Sequence, residues 1–180
     1  MNLTFRLLHL DSPDLGPTQH LFETAFPEEE RPPFEVTVGF ERGLFYEVLD
    51  DGCHIGLVVL VPYEDILYVF FLAVEPEFRG RGYGSAILAH IVSFYSDKRI
   101  YLLAEEPGSQ YADNEMRLKR LAFYAKNGFT LTPIRVTEYE VTYALLTHGQ
   151  DVSAQEFLAT MKYLLGPENY RDYYENHISL

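Results

Sequence analysis

The sequence predicts an α/β fold in which helices flank a central mixed sheet, and three stretches carry that prediction. An unbroken apolar run, Ile66 to Val74, has the length and the aromatic and β-branched content of a strand buried on both faces. A glycine-rich loop follows it, and then apolar residues recur at helical spacing as far as Tyr95. Because another short apolar run, Ile100 to Ala104, comes next, the stretch is typical of a βαβ crossover.

The first forty residues predict one strand and one or two helices. Leu3 to Leu10 reads as a strand, and Ser12 and Asp14 are candidate caps for a helix that ends before Pro27. The next segment, PEEERPP, carries three consecutive carboxylates and three prolines, so charge repulsion and proline geometry predict a loop. Phe34 to Phe40 is either a short helix or an extended piece.

A hairpin precedes the central strand. Leu44 to Leu49 and Ile55 to Val61 flank Asp50, Asp51 and Gly52, which together form a strong turn signal. The single cysteine, Cys53, excludes an internal disulfide, and we expect it to be a buried or half-buried small hydrophobe at the start of a strand.

After the crossover the pattern predicts a helix from Asp113 or Asn114 to Asn127. Its expected apolar stripe consists of Leu118, Leu121, Ala122 and Ala125. On the helical wheel Arg117, Arg120 and Tyr124 lie together beside that stripe, at the boundary between core and solvent.

The remaining chain predicts a closing pair of strands and a helical appendage. The strands are Phe129 to Val136 and Glu138 to Leu146, and a serine-capped helix spans Ser153 to Leu165. A tyrosine-rich tail follows, compatible with a homodimer interface, a substrate lid or a simple cover for the core. We therefore expect one domain over residues 1–150 and an appendage over residues 151–180 that packs on it.

Composition narrows the class of protein. The chain has 180 residues, 47% hydrophobic and 23% charged, so it can bury a core and is not expected to be disordered. No apolar run is long enough to cross a bilayer and no signal sequence is evident, so we expect no membrane partner and a cytoplasmic, unprocessed protein. The six histidines show no paired metal spacing, so we expect no metal site.

The net charge of -13 argues against a nucleic-acid partner, because phosphate contacts need a positive surface. A negative field would assist the approach of a cationic substrate, although solubility alone also accounts for the charge.

The glycine-rich loop predicts a phosphate site. Gly80, Gly82 and Gly84 open the mouth of a helix, where unpaired N–H groups and the macrodipole favour an anion. Arg79 and Arg81 add planar donors suited to phosphate oxygens. A Walker A loop would need a lysine that is lacking here. A Rossmann fingerprint could accept Ser85 as its third small residue, but it also needs an acidic ribose ligand at the end of the next strand, and the strand that ends in Ala104 and Glu105 does not show that pattern.

A third interpretation fits without adjustment. Arg79, Gly82 and Gly84 match the Arg/Gln-x-x-Gly-x-Gly/Ala signature, and FYAKNGF (residues 123–129) matches an aromatic-Tyr-x-x-x-Gly-Phe helix end. In order and spacing the chain from Leu44 to Leu146 resembles the GCN5-related N-acetyltransferases, the GNAT family.

The resemblance implies a twisted mixed sheet whose central strands splay apart to admit acetyl-coenzyme A. It implies that the backbone of Leu72, Ala73 and Val74 pairs with the pantetheine arm. It also implies that the loop holds the diphosphate through Arg79, Gly80, Arg81, Gly82, Tyr83, Gly84 and Ser85.

The catalytic groups follow from the same resemblance. Tyr124 matches the family's usual general acid, which protonates the leaving thiolate, although a tyrosine there could also simply pack against the cofactor. Glu29, within the run from Glu28 to Glu30, and Glu105 are candidate bases, and for each a solvated surface charge is the alternative. Arg31 is an alternative contact for a substrate carboxylate.

The expected activity is transfer of an acetyl group to a primary amine, either a small cationic amine or a peptide amine. A binding module that keeps the coenzyme pocket but has lost turnover is the alternative, and a nucleotide-dependent enzyme is a third. One departure from the family pattern is that Arg117 stands where many members carry an asparagine, with Asn114 a turn earlier.

Overall fold

The computed structural model describes the backbone of all 180 residues and every side chain except those of Glu29 and Tyr173. The chain divides into two compact units, Met1–Pro62 with Val69–Tyr95, and Tyr63–Tyr68 with Ser96–Leu180. No helix in the described chain has both the length and the apolar character that a membrane span requires.

The first unit contains four strands in the order β1-β2-β3-β4 and three helices. Its elements are β1 (Leu3–Leu7), α1 (Gly16–Ala25), a 3₁₀ turn (Glu28–Glu30), α2 (Phe34–Val38), β2 (Leu44–Asp50), β3 (Cys53–Tyr63), β4 (Ile66–Val74), a second 3₁₀ turn (Pro76–Phe78) and α3 (Tyr83–Phe94). The predicted central strand and hairpin are thus confirmed, and the segment at Phe34 is helical.

The second unit includes the first residues of β4, up to Tyr68, and its strands follow in the order β4-β5-β7-β6-β8. Its other elements are β5 (Arg99–Glu105), α4 (Asn114–Lys126), β6 (Thr130–Glu138), β7 (Val141–His148), α5 (Ala154–Leu165), α6 (Pro167–Asn169), a π turn (Tyr170–Tyr174), a 3₁₀ turn (Glu175–His177) and β8 (Ile178–Ser179). The predicted fold class, a mixed sheet flanked by helices, is confirmed.

Aromatic side chains dominate both cores. In the first unit Phe22 is fully buried and contacts the rings of Phe45 and Phe71 at centroid distances of 5.8 and 5.2 Å. In the second unit the rings of Tyr68 and Tyr101 stack 4.4 Å apart, and Phe157 of α5 packs edge-on against both. Large buried rings supply much of the apolar area that stabilises a domain of this size.

Of the two predicted helix caps, one differs from the structure and one is confirmed. Neither Ser12 nor Asp14 caps α1, because the helix begins after Leu15 without a side-chain cap and the Ser12 hydroxyl accepts from the His9 N–H instead. The serine cap of α5 is confirmed: Ser153 forms a reciprocal capping box with Glu156.

The apolar stripe predicted for α4 is wrong. Leu118 is 51% exposed, whereas Arg117 and Tyr124 are the buried residues of the helix. The reason is that Arg117 pairs with the buried carboxylate of Glu105, which places the charged side of the helix toward the core. Cys53 was also expected to be buried but is exposed, because β3 begins at the solvent-facing end of the hairpin.

Candidate functional site

The loop before α3 has the open backbone that the sequence predicts. Gly80 and Gly82 have φ values of 73° and 90°, which side-chain-bearing residues rarely adopt. A Cβ added to Gly80 would meet no atom within 4 Å, and one added to Gly82 would lie 3.6 Å from Met1 Cε. The main chain of the loop is therefore accessible for close approach by a ligand.

The first turn of α3 presents backbone donors next to this loop. The Ala86 N–H donates to the Gly82 carbonyl at 3.0 Å, which makes it the first amide to bond back within the helix. The N–H groups of Tyr83, Gly84 and Ser85 precede it and have no acceptor within the helix. With the positive end of the helix dipole they form a surface suited to a diphosphate.

Two tethers hold the loop in place. The Tyr83 hydroxyl donates to Asp50 Oδ2 at 2.7 Å, which lowers the pKa of Asp50 and raises the pKa of Tyr83. The Arg79 Nε–H donates to the Val74 carbonyl at 2.8 Å, so this guanidinium also braces the end of β4. Arg81 is exposed and lies over the Phe78 ring at 5.7 Å.

The end of β4 is packed closely against β3. A Cβ on Gly56 would lie 2.5 Å from the Ala73 carbonyl oxygen, so only glycine permits this approach. Ala73 is buried, and Leu72 and Val74, on the opposite face of the strand, are half-buried. The first unit therefore brings together the two segments that the resemblance assigns to the cofactor, the strand end and the glycine loop.

Tyr124 lies on the inner face of α4 in the second unit. It is 9% exposed and contacts the rings of Phe123 and Phe129 at 5.2 and 6.0 Å. Burial raises the pKa of its phenol, and the charge of Arg120 acts in the opposite direction. The phenol is therefore protonated at neutral pH and has a proton to donate.

Glu105 is the centre of an ion-pair network in the same unit. Arg117 Nη2 lies 3.0 Å from Glu105 Oε1, and Arg120 pairs with Oε2. Arg117 also donates to Asp113 at 2.9 Å and stacks 3.9 Å over the ring of Tyr111. Both carboxylate oxygens of Glu105 are thus held by guanidinium groups, and Arg120 links this carboxylate to the surroundings of Tyr124.

The structure gives Arg117 and Asn114 separate roles. Arg117, at the position where the resemblance leads us to expect an asparagine, is buried against Glu105. Asn114 Oδ1 accepts from the Gly108 N–H at 2.8 Å and so orders the loop before α4.

The acidic loop after α1 is a short 3₁₀ turn. Glu28 is exposed and Glu30 half-buried, while the side chain of Glu29 lies outside the described part of the chain. The Arg31 Nε–H donates to the Phe26 carbonyl at 3.0 Å, and its guanidinium lies 5.3 Å from the centre of the Phe22 ring. Arg31 thus has a bracing contact within its own loop.

Sequence reasoning missed a buried polar chain that joins Glu47, His54 and Glu75 in the first unit. Its members lie on different strands or just beyond one, so no local motif marks them. The one available signal was Glu47, a charged residue within an otherwise apolar strand pattern.

A model of the acetyltransferase (GNAT) domain family matches residues 41–131, half of the chain, and spans β4, the glycine loop and Tyr124. No curated protein sequence matches the chain.

Solved structures share the fold. A GNAT-family protein from Bacteroides thetaiotaomicron is 23% identical with a TM-score of 0.74, covering 95% of this chain and 98% of that one. A GNAT acetyltransferase from Elizabethkingia anophelis with acetyl-CoA bound is 16% identical, with a TM-score of 0.59 and coverage of 83% and 99%. A spermidine N-acetyltransferase chimera from Vibrio cholerae and hSSAT is 17% identical, with a TM-score of 0.60 and coverage of 82% and 95%.

Proposed function

Because the chain belongs to the GNAT acetyltransferase family, we propose that it transfers an acetyl group from acetyl-coenzyme A to a primary amine by direct attack. The observation that carries the proposal is the glycine loop, whose open backbone and helix-start amides lie within the matched segment. A thioester supplies an activated acyl carbon, so the protein has to bind it, orient the amine and manage two protons.

The first unit supplies the groups for binding the co-substrate. The amides from Arg79 to Ser85 would hold the diphosphate, with Arg81 as an exposed positive charge at the loop. The backbone of Leu72, Ala73 and Val74 would pair with the pantetheine arm and polarise the thioester carbonyl. The 2.8 Å bond from Arg79 to Val74 supports this assignment, because it ties the two segments together.

Tyr124 is the proposed general acid. The amine lone pair attacks the acyl carbon, the carbon–sulfur bond breaks, and the phenol gives its proton to the departing thiolate. Burial keeps the phenol protonated, and the nearby Arg120 charge stabilises the phenolate that forms.

The proton lost by the attacking amine needs a base, for which Glu105 and Glu29 are the candidates. Both oxygens of Glu105 are engaged by Arg117 and Arg120, which favours an anchoring role for this carboxylate. We therefore assign the base role to Glu29, or to a water that carries the proton to solvent.

The proposed acceptor is a small cationic amine or a peptide amine. The net charge of -13 supports a cationic acceptor, because a negative field raises the local concentration of cations. The spermidine acetyltransferase among the structural neighbours is an example of this fold acting on a polyamine.

Two measurements test the function. Calorimetric titration should show binding of coenzyme A in preference to NAD and ATP, and preference for either nucleotide would contradict the proposal. Thiol release from acetyl-coenzyme A should then appear with at least one member of a panel of polyamines, aminoglycosides, amino acids and peptides. Tight coenzyme binding without thiol release across a broad panel would instead indicate a binding module.

A further inference from the structure

A chain of ionisable side chains crosses the first unit from β1 to the end of β4. Arg6 pairs with Glu47 Oε2, and Glu47 Oε1 lies 2.9 Å from His54 Nδ1. On the other side of the ring, His54 Nε2 lies 3.3 Å from Glu75 Oε1. His54 thus lies between two carboxylates: its Nδ1 is hydrogen-bonded to Glu47, whereas its Nε2 is at ion-pair distance from Glu75 without a hydrogen bond. The proposed chemistry uses none of these groups.

The strand register explains how this series of ionisable side chains forms. Arg6 and Glu47 are direct partners across β1 and β2. The β2–β3 register shifts between Val48 and Leu49, so that Leu49 pairs with His54. A bulge of this kind re-aims side chains locally, and here it accompanies the contact between His54 and the carboxylate two residues before Leu49.

Because these ionisable side chains are largely buried, their contacts matter for the free energy of folding. Glu47 is 3% exposed, and a buried carboxylate is strongly unfavourable unless it is paired and hydrogen-bonded. His54 and Glu75 are themselves mostly buried, with side-chain exposures of 14% and 17%.

Glu75 lies between the two segments proposed to bind the co-substrate. It lies directly after the first, Leu72–Val74, and three residues separate it from the second, the loop Arg79–Ser85. Its N–H donates to the Ile55 carbonyl at 3.0 Å, while its carboxylate faces the neighbouring His54. Both its main chain and its side chain are therefore held by the start of β3.

We propose that His54 is a positioning residue for the co-substrate: by bridging Glu47 and Glu75 it fixes the junction between the pantetheine strand and the diphosphate loop. The inference rests on the proposed acetyltransferase function. A ligand that spans both segments gains from their fixed spacing, because the protein does not have to order them on binding.

The test compares His54→Gln and Glu75→Gln, singly and together, with the unaltered chain. Coenzyme A should bind about tenfold more weakly to each single variant, and the double variant should be no weaker than the singles, because both remove the same contact. The loss should be smaller for 3′-phospho-ADP, which lacks the pantetheine arm and engages the loop alone. At saturating acetyl-coenzyme A, kcat should change less than twofold, so that the effect appears in KM.

The chain offers matched controls for both substitutions. His20→Gln replaces an exposed histidine on α1, and Glu77→Gln replaces an exposed glutamate in the turn after Glu75. Neither should alter coenzyme A binding. Glu75 lies at the edge of the buried chain, so Glu75→Gln keeps the test decisive if His54→Gln fails to fold.

The outcomes are distinct. Folded His54→Gln and Glu75→Gln variants that bind coenzyme A as tightly as the unaltered chain would overturn the positioning role and leave the proposed function standing. An unaltered chain that does not bind coenzyme A would overturn both.

Discussion

At the scale of single residues, the hydroxyl of Tyr124 is the atom on which the proposed proton transfer depends. Tyr124→Phe keeps the ring packed against Phe123 and Phe129 and removes only the donor. We expect kcat to fall by about 10- to 100-fold with little change in coenzyme A affinity, the usual size of general acid catalysis. Stopped-flow thiol release and calorimetry measure the two quantities.

Tyr111→Phe is the matched control for that substitution, since it also removes a single hydroxyl and keeps the ring that stacks on Arg117. Its kcat should equal that of the unaltered chain. An unchanged rate in Tyr124→Phe would remove the phenol from the mechanism.

Glu105 tests whether a carboxylate in this unit anchors the fold or takes a proton. Glu105→Gln leaves Arg117, which is 8% exposed, without one of its charged partners. We expect the free energy of unfolding to fall by about 2 to 3 kcal/mol, because a buried cation then loses part of its compensation. Denaturant unfolding measures the loss.

Glu115→Gln provides the comparison, because Glu115 forms an exposed i,i+4 pair with Lys119 on the same helix. Exposed pairs of this kind contribute little, so its stability should not change measurably. A stable Glu105→Gln protein with a large fall in kcat would instead identify Glu105 as the base.

At the scale of elements, the strand–loop–helix unit from β4 to α3 depends on the backbone conformation of Gly82. Gly82→Ala places a Cβ at φ 90°, a left-handed conformation that costs roughly 1–2 kcal/mol in an L-residue. Relief of that strain would turn the first amides of α3, so coenzyme A affinity should fall together with stability. Calorimetry and thermal unfolding of the same samples check both effects.

Gly149→Ala distinguishes the effect of backbone strain from an effect on the co-substrate site. Gly149 has φ 88° with no atom within 4 Å of an added Cβ, so the backbone penalty is matched in a loop after β7. It should lose stability and keep coenzyme A affinity. Equal affinity in both variants would show that the Gly82 turn is not part of the site.

The start of α5 gives the fold a defined sensitivity to acid. Arg99, followed by the Ser153 cap, lowers the pKa of Glu156 from 4.5 to about 2. A carboxyl with a depressed folded-state pKa contributes stability above its ordinary pKa, and that contribution is lost as pH falls toward the folded value. Unfolding free energy should therefore drop as pH falls from about 4.5 to about 2.

Glu156→Gln should flatten that part of the stability profile, and Ser153→Ala should flatten it less, because Arg99 is the larger cause of the shift. Glu168→Gln, at an exposed glutamate of α6, should leave the profile unchanged. Identical acid profiles for Glu156→Gln and the unaltered chain would contradict the assignment.

How far sequence predicts an element depends on whether the element's own residues decide it. The β4 strand, the glycine loop and the Ser153 cap follow from local composition, so the sequence located them correctly. The bounds of helix α4 also follow from local composition, but its buried face does not: the wheel puts Leu118 on the apolar stripe and Arg117 beside it, whereas Leu118 is exposed and Arg117 buried. The opposite arrangement is favourable because Arg117 pairs with Glu105 and Asp113 and stacks on the Tyr111 ring.

At the scale of the whole molecule, several features that the sequence did not predict involve residues distant along the chain. Strand β8 has two residues and pairs with the end of β6, where Glu138 lies opposite Ile178. The Tyr174 hydroxyl donates to the same Glu138 across 36 positions of sequence. Neither contact has a periodic signature, since each depends on the path of the tail after Pro167. The division into residues 1–150 and 151–180 remains a prediction.

The net charge of -13 belongs to no single element, and it leads to the final prediction. If a negative field assists acceptor capture, kcat/KM for a polyamine should fall as ionic strength rises from about 20 to 300 mM, because the screening length shrinks from roughly 20 Å to below 10 Å. A monoamine with no other charged group is the internal control. Its single charge gains less from electrostatic steering than the several charges of a polyamine, so its kcat/KM should vary less with salt. The comparison requires saturating acetyl-coenzyme A throughout, because salt also weakens binding of the anionic co-substrate. If the best turnover came from an acidic amine, or if salt affected both acceptors equally, the negative charge would serve solubility and the acceptor would be selected by contacts in the site alone.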